Sequence, residues 1–213
     1  MKKFIVLDTE TTNSLDDPLT YDIGFAVIDE KGKVYESYSF VIAEIFLDKE
    51  LMKSAYFADK IPQYWQDIKD GKRKLAKLLT VKKILAKVMK DNHTNIVIAH
   101  NARFDYRSLA TTQRFLTSSK YRYFLPYGTE VYCTLKMARQ ALKNNIEYDN
   151  FCYNNGYLTK RGRKRYTAEI LYRFLTGQND FIESHTGLED VLIEKEIFSF
   201  CFANGITDGK LWD

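Results

Sequence analysis

Two acids stand close together at the start of the chain. Asp8 and Glu10 follow the apolar residues 4–7, a short run that predicts a buried strand. Alternate residues of a strand point to one face, so the two carboxylates would share one side of a sheet. Their charges repel each other unless a cation neutralises them, and carboxylate oxygens suit Mg²⁺ or Mn²⁺. A solvated acidic turn would also explain the pattern, because D-x-E is a common sequence.

Three later residues could complete such a site. Asp105 follows the apolar run 95–99 and would lie in the first turn of the next helix, where an acid also stabilises the helix dipole. His185 precedes the last predicted helix, and its ordinary pKa near about 6.5 suits a general base. Asp190 lies one turn inside that helix. Glu189 is an alternative to Asp190, since adjacent helical residues point about 100° apart and only one would face a cleft.

The elements that must position these residues begin with strands and continue with alternating helices and strands. Gly24 predicts a bulge or a close approach within the second strand, and Gly187 predicts a flexible approach to the last helix. Thr134 is a predicted N-cap and Gly177 a predicted helix end. The predicted strands are 3–8, 22–29, 33–42, 95–99 and 130–133, and the predicted helices are 74–90, 104–116, 134–143, 167–175 and 188–203. This order predicts an α/β fold with a mixed five-stranded sheet flanked by helices.

Length and composition indicate one ordinary globular domain. The chain has 213 residues, of which 45% are hydrophobic and 28% charged, which is enough for a packed core. Its apolar runs are far shorter than the roughly 20 residues of a membrane span, and the run at 4–7 is too short for a secretory signal. The three cysteines show no metal-binding or disulfide pattern. We therefore predict a single domain over residues 1–213, located in the cytoplasm and not associated with a membrane.

Three motifs in this order resemble the DEDDh exonucleases, a ribonuclease H-like family of 3′→5′ exonucleases. The motifs are residues 8–11 (DTET), 100–105 (HNARFD) and 185–190 (HTGLED), and the resemblance extends from residue 3 to about residue 203. The family includes proofreading subunits of bacterial DNA polymerases, tRNA-trimming exoribonucleases and oligoribonucleases. Its sister group has a tyrosine at the position of Thr186, so the histidine at 185 indicates the DEDDh subfamily.

The resemblance implies a reaction and a role for each of the five residues. It implies hydrolysis of phosphodiester bonds from a 3′ end, with release of nucleoside 5′-monophosphates. Asp8, Glu10 and Asp190 would bind one divalent cation, Mg²⁺ or Mn²⁺. Asp8 would also bind a second cation, which Asp105 would assist through water. His185 would take the proton from the attacking water.

Further residues are predicted to contact the nucleic acid. By the same resemblance Thr9, Thr11 and Asn101 match substrate-binding positions. The run 160–165 (KRGRKR) contains five cations that could neutralise phosphates, although a solvated basic loop is the simpler explanation of that run alone. Bases also stack on aromatic rings, and three aromatic residues in a segment predicted to be irregular are candidates for this role: Phe57, Tyr64 and Trp65.

Several functions remain open on the sequence alone. The leading one is an exonuclease acting on the 3′ ends of single-stranded DNA. An exoribonuclease or oligoribonuclease would use the same residues. A non-catalytic accessory subunit is a different class, against which the presence of all five site residues counts. A DNA polymerase or another replication protein is a possible partner, although the short segment after Gly205 favours a stand-alone enzyme.

Overall fold

The computed structural model describes residues 2–13, 17–118 and 122–212, and a mixed six-stranded sheet forms its centre. The strands are β1 (Lys3–Thr12), β2 (Leu19–Asp29), β3 (Val34–Ile42), β4 (Lys74–Ala76), β5 (Ile96–Ala99) and β6 (Glu130–Cys133). Their order across the sheet is β4-β3-β2-β1-β5-β6. The first three strands are antiparallel, whereas β5 is parallel to β1, β6 to β5, and β4 to β3. The parallel β1–β5 pair brings the carboxyl ends of both strands to one edge of the sheet.

Helices cover both faces of this sheet. They are α1 (Ala43–Phe46), α2 (Lys49–Met52), a 3₁₀ turn (Ala58–Lys60), α3 (Ile61–Lys69), α4 (Leu78–Asp91), α5 (Arg103–Leu116), α6 (Thr134–Ala141), α7 (Ile146–Asn154), α8 (Ala168–Thr176) and α9 (Gly187–Ala203). Side chains of β1 alternate between two cores. Ile5 and Leu7 pack with α4 and α5, while Phe4 and Val6 pack with α6, α8 and α9. Within the described residues, no helix has the length and apolar character needed to span a membrane.

The predicted α/β class is confirmed, but the sheet has a sixth strand. Residues 74–76 were expected to begin a helix and instead pair as β4 with the edge of β3. The helix starts only at Leu78, whose backbone N–H donates to the carboxylate of Glu44. Hydrogen bonds to a distant strand and to a distant side chain thus override the helical spacing of this segment.

Other element predictions were partly right. Thr134 is the first residue of α6 and not its N-cap, because its hydroxyl contacts His100 and Ala99 instead of the helix N-terminus. Helix α8 ends as predicted at Gly177, which has a left-handed conformation. Helices α1, α2, α3 and α7 were not predicted. Residues 57–65 are not irregular, since they contain the 3₁₀ turn and the start of α3.

The start of α9 lies directly against β2. A Cβ atom on Gly24 would lie 2.2 Å from the backbone of Gly187 and Leu188, and one on Gly187 would lie 2.7 Å from the Gly24 nitrogen. Gly24 is also the cross-strand partner of Asp8. Of the two roles predicted for Gly24, the structure shows the close approach, and Gly187 permits close packing rather than flexibility.

Candidate active site

An open cleft of about 520 Å³ lies where β1 and β5 end and α9 begins. Its walls combine acids from β1, α9 and the loop before α9 with basic residues from several elements. The acids are Asp8, Glu10, Glu183, Asp190 and Glu194, and the basic residues are His100, Arg139, Lys164, Arg165 and His185. Four of the five predicted catalytic residues therefore line one cleft. The fifth, Asp105, is buried. It lies near enough for its charge to raise the pKa of both Asp8 and Glu10.

Three predicted site residues lie close enough together to bind one cation. One ligand atom each from Glu10, His185 and Asp190 lies within 4.8 Å of the other two. Burial raises the pKa of Glu10 to about 9 and that of Asp190 to about 8, and the neighbouring acids add to both shifts. Buried acids this close together can all be ionised only when a positive charge nearby neutralises them.

Asp8 provides an independent indication of a cation. Its Oδ2 atom is buried and has no hydrogen-bond partner among the described residues. Burial raises the pKa of the Asp8 carboxyl well above its ordinary value, and the charge of Glu194 adds to this effect. An unpartnered buried carboxylate oxygen is unfavourable by itself. Oxygen donors of this kind fit a hard divalent cation such as Mg²⁺ or Mn²⁺.

Asp105 lies in the first turn of α5, as predicted, and is held by Thr9. The Thr9 hydroxyl donates to Asp105 Oδ1 over 2.9 Å, and both side chains are buried. Burial raises the pKa of Asp105 to about 7, although the hydrogen bond from Thr9 acts in the opposite direction. The hydroxyl of Thr9 therefore positions an acid in this structure.

The turn before α9 separates the roles of Glu189 and Asp190. The backbone N–H of Thr186 donates to Asp190 Oδ2 over 3.1 Å, and this holds Asp190 toward the cleft. Glu189 points away and accepts from Arg73 over 2.8 Å and from the Thr186 hydroxyl over 2.7 Å. Of the two acids that the sequence left open, Asp190 is the one in the cleft.

His185 has a constrained geometry. Its φ is 52°, a left-handed value that is uncommon outside glycine, and its ring stacks on Phe57 with centroids 4.2 Å apart. Burial lowers the pKa of His185, which keeps the imidazole neutral near pH 7. A neutral imidazole beside two carboxylates can accept a proton.

The architecture is similar to that of solved exonucleases, whereas the sequence matches no protein-family model and no curated protein. E. coli exonuclease I in complex with a dA16 oligonucleotide matches 95% of this chain with a TM-score of 0.55 and 13% identity. The zinc-bound form of an E. coli exonuclease I–single-stranded DNA complex matches 92% with a TM-score of 0.54 and 15% identity. The chain spans 43% and 39% of those two chains. Exonuclease X in complex with 5′-overhanging duplex DNA matches 97% of this chain and 95% of its own, with a TM-score of 0.48 and 16% identity.

The chain shares the fold of these exonuclease I structures. The exonuclease I structures establish this architecture, a mixed sheet with helices on both faces, over most of the described residues.

A second, more apolar pocket of about 460 Å³ adjoins the cleft. Glu10 and Asn101 line both, and Thr11, Asn13, Tyr56, Phe57 and Phe104 complete its wall. Two of the predicted substrate-binding residues, Thr11 and Asn101, thus lie beside the acids. Asn101 has φ 57°, a conformation that asparagine tolerates better than most residues.

The three aromatic residues proposed for base stacking do not form one surface. Phe57 lines the apolar pocket, and its role in base stacking stays a prediction. Tyr64 is wrong as a candidate, because it is buried in the core and its hydroxyl donates to Asp22 over 2.6 Å. Trp65 is 47% exposed on α3 and packs on Phe46. Successive residues of a helix point in different directions, which is why Tyr64 and Trp65 separate.

Sequence reasoning missed a buried ionic network behind the cleft. Arg73 lies 3.0 Å from Asp67, 3.3 Å from Asp22 and 2.8 Å from Glu189. Asp22 also accepts from the backbone N–H of Gly187 over 2.9 Å. The network therefore connects β2 to the start of α9. Strand pairing could have placed Asp22 opposite Glu10. No residue pattern near Asp22 in the sequence identifies Arg73 as the partner of Asp22.

Proposed function

We propose that this protein is a metal-dependent 3′→5′ exonuclease that releases nucleoside 5′-monophosphates. The observation that supports this most is the group formed by Glu10, His185 and Asp190 beside the unpartnered oxygen of Asp8. It combines cation ligands with a neutral general base in one open cleft. The exonuclease fold is consistent with this proposal.

Two divalent cations, Mg²⁺ or Mn²⁺, fit the donor set. Asp8, Glu10 and Asp190 would hold one, and Asp8 with the assistance of Asp105 would hold the other. When bound, the cations supply positive charge to the reacting phosphate group. The acids act only as carboxylates here, so their raised pKa values mean that protons compete with cations for the site.

His185 acts as the general base of the proposed reaction. The ring nitrogen that faces Glu10 and Asp190 accepts one proton of the attacking water as its oxygen bonds to phosphorus. The bond from phosphorus to the 3′ oxygen breaks, and that oxygen takes a proton from solvent. Stacking on Phe57 restrains the ring in a position from which it can reach the water.

The substrate strand would cross from the apolar pocket to the basic wall of the cleft. The terminal base would enter the pocket beside Phe57 and Phe104, since aromatic rings stack on any base. Arg139 and Arg165 are exposed residues of the cleft lining and would contact phosphates. Single-stranded DNA is the proposed substrate, and a polymerase or replication partner and a cytoplasmic location stay predictions.

Digestion of 5′-labelled single strands tests the proposal. DNA and RNA of equal sequence are incubated with Mg²⁺, Mn²⁺ or chelator, and Asp8→Ala is compared with Asp91→Ala, a surface acid on α4. We expect a ladder that shortens from the 3′ end with wild type and Asp91→Ala, and no ladder with chelator or Asp8→Ala.

Three outcomes would contradict part or all of this function. Internal cuts, or full activity in Asp8→Ala, would refute the exonuclease. Faster digestion of RNA than of DNA would indicate an exoribonuclease. Binding of strands without cleavage under every condition would indicate an accessory subunit.

A further inference from the structure

Glu194 is a fifth acid in the cleft, and the proposed reaction assigns it no role. It lies on α9 one turn beyond Asp190, and residues four apart on a helix share a face. Its side chain lines the cleft together with Asp8 and Asp190, although the residue is only 2% exposed. The carboxylate is therefore a buried part of the cleft lining.

The hydrogen bonding of Glu194 is incomplete. The backbone N–H of His100 donates to its carboxylate, which fixes the side chain next to the second motif. The other oxygen, Oε2, is buried and has no partner among the described residues. Asp8 Oδ2 is in the same condition, and both residues line the same cleft.

No side chain neutralises this acid in the part of the chain that the structure describes. Glu194 forms no ion pair with another described residue. Lys164, a cation that lines the cleft, is already paired with Asp149. Burying an unpaired carboxylate is unfavourable, whereas an apolar residue would fill this helix position without penalty. The position therefore makes physical sense if a cation occupies the space between Glu194 and Asp8.

We propose that Glu194 is a fifth carboxylate of the metal centre. Its free oxygen binds one of the two cations that Asp8 holds, directly or through one water. The inference deepens the proposed function and rests on it. Asp8, Glu10, Asp105, Asp190 and Glu194 would then surround the cations. A site with this additional charge binds divalent cations more tightly and functions at lower concentrations of free metal.

Calorimetric titration with Mn²⁺ tests this role without reference to activity. Glu194→Gln keeps the shape of the side chain and its acceptor for the His100 N–H, but removes the charge. We expect its Mn²⁺ affinity to fall about 10- to 100-fold, the range for residues that support metal ligands. The matched control is Glu196→Gln on the same helix, whose carboxylate pairs with Lys195 and should leave affinity unchanged.

A second measurement protects the test against a folding defect. Removing a repelling charge should leave the melting temperature in chelator equal to or above that of wild type. A Glu194→Gln variant that is unfolded or less stable in chelator would show that the carboxylate serves the metal-free fold, and would overturn the inference.

Asp8→Asn separates failure of the inference from failure of the proposed function. If Asp8→Asn loses Mn²⁺ binding and Glu194→Gln keeps wild-type affinity, only the role of Glu194 is refuted. If Asp8→Asn also binds Mn²⁺ like wild type, the metal centre itself is misplaced and both proposals fail.

Discussion

Protonation decides whether each acid of the cleft can act as proposed. Burial raises the pKa of Asp105 to about 7, of Asp190 to about 8 and of Glu10 to about 9, and mutual repulsion contributes to the shift of Glu10. Burial has the opposite effect on His185 and lowers its pKa. The metal-free site is therefore partly protonated on its acids at neutral pH, while its histidine is neutral.

At the residue scale, His185→Gln should lose activity and retain its cations. We expect turnover to fall about 10²- to 10⁴-fold, the usual contribution of a general base, with Mn²⁺ affinity within a few fold of wild type. Single-turnover digestion and calorimetry measure the two effects. His93→Gln is the matched control, because His93 is exposed and has a similar φ of 50°. An equal loss of Mn²⁺ affinity and activity would instead make His185 a ligand.

At the element scale, the contact between α9 and β2 sets the position of Asp190. Gly24 and Gly187 allow the two backbones to touch, and the Gly187 N–H donates to Asp22. Arg73 binds both Asp22 and Glu189, so the same helix start is also held through its side chains. Asp190 follows Glu189 directly and is therefore positioned by contacts outside the cleft.

Gly24→Ala should disrupt this contact. The new Cβ would lie 2.2 Å from the Gly187 backbone, which cannot rotate away as a side chain can. We expect a loss of several kcal/mol in the free energy of unfolding. We also expect a larger loss of Mn²⁺ affinity than a substitution far from the cleft would cause. Chemical denaturation and calorimetry measure both.

Gly209→Ala is the control for this substitution. Its Cβ would meet the flexible side chain of Met137 at 2.5 Å, so a smaller loss of stability and normal Mn²⁺ affinity are expected. Equal behaviour of the two variants would mean that the contact between α9 and β2 does not position the site.

Arg73→Met should destabilise the fold by removing the cation of a buried network. It removes the buried cation that pairs with both Asp22 and Asp67, and breaking a buried pair in this way costs about 3–5 kcal/mol. Adding Asp22→Asn should recover part of that loss, because the amide needs no counter-charge. Denaturant unfolding of the two variants measures the recovery, and a double variant no more stable than Arg73→Met would contradict this account.

Local sequence patterns predicted the elements that position the site, and long-range contacts account for what they missed. The apolar run before Asp8 and the N-terminus of α9 before Asp190 were visible because their signals lie within a few residues. The strand β4 and two of the three partners of Arg73, Asp22 and Glu189, depend on contacts between residues more than 30 positions apart. Glu194 was overlooked because it lies in a helix that is apolar on most of its surface.

At the scale of the whole molecule, the acids of the cleft should make the metal-free protein less stable in alkali. A carboxyl whose pKa rises on folding holds its proton more tightly in the folded state, so its contribution to stability is lost as pH rises through the raised value. For Asp190 and Glu10 these values are about 8 and about 9. Burial lowers the pKa of His100 and that of His185, so these two histidines do not obscure this range.

The melting temperature in chelator should therefore fall between about pH 7 and about pH 9, by about 2–4 °C for each kcal/mol lost. Excess Mg²⁺ should abolish the fall, because the cations bind the deprotonated acids. Glu10→Gln should reduce the slope, whereas Glu196→Gln should not. A melting temperature in chelator that rises or stays level over this range would contradict the raised pKa values.

The contact between Gly24 and Gly187 also restricts how this protein can evolve. Most tight contacts can be relieved by a compensating change, in which one side chain shrinks as the other grows. Neither residue here has a side chain to lose, and the atoms in contact are backbone. No second substitution at the contact can rescue a first, so this pair should stay invariant in any laboratory selection that retains activity, while residues around it change.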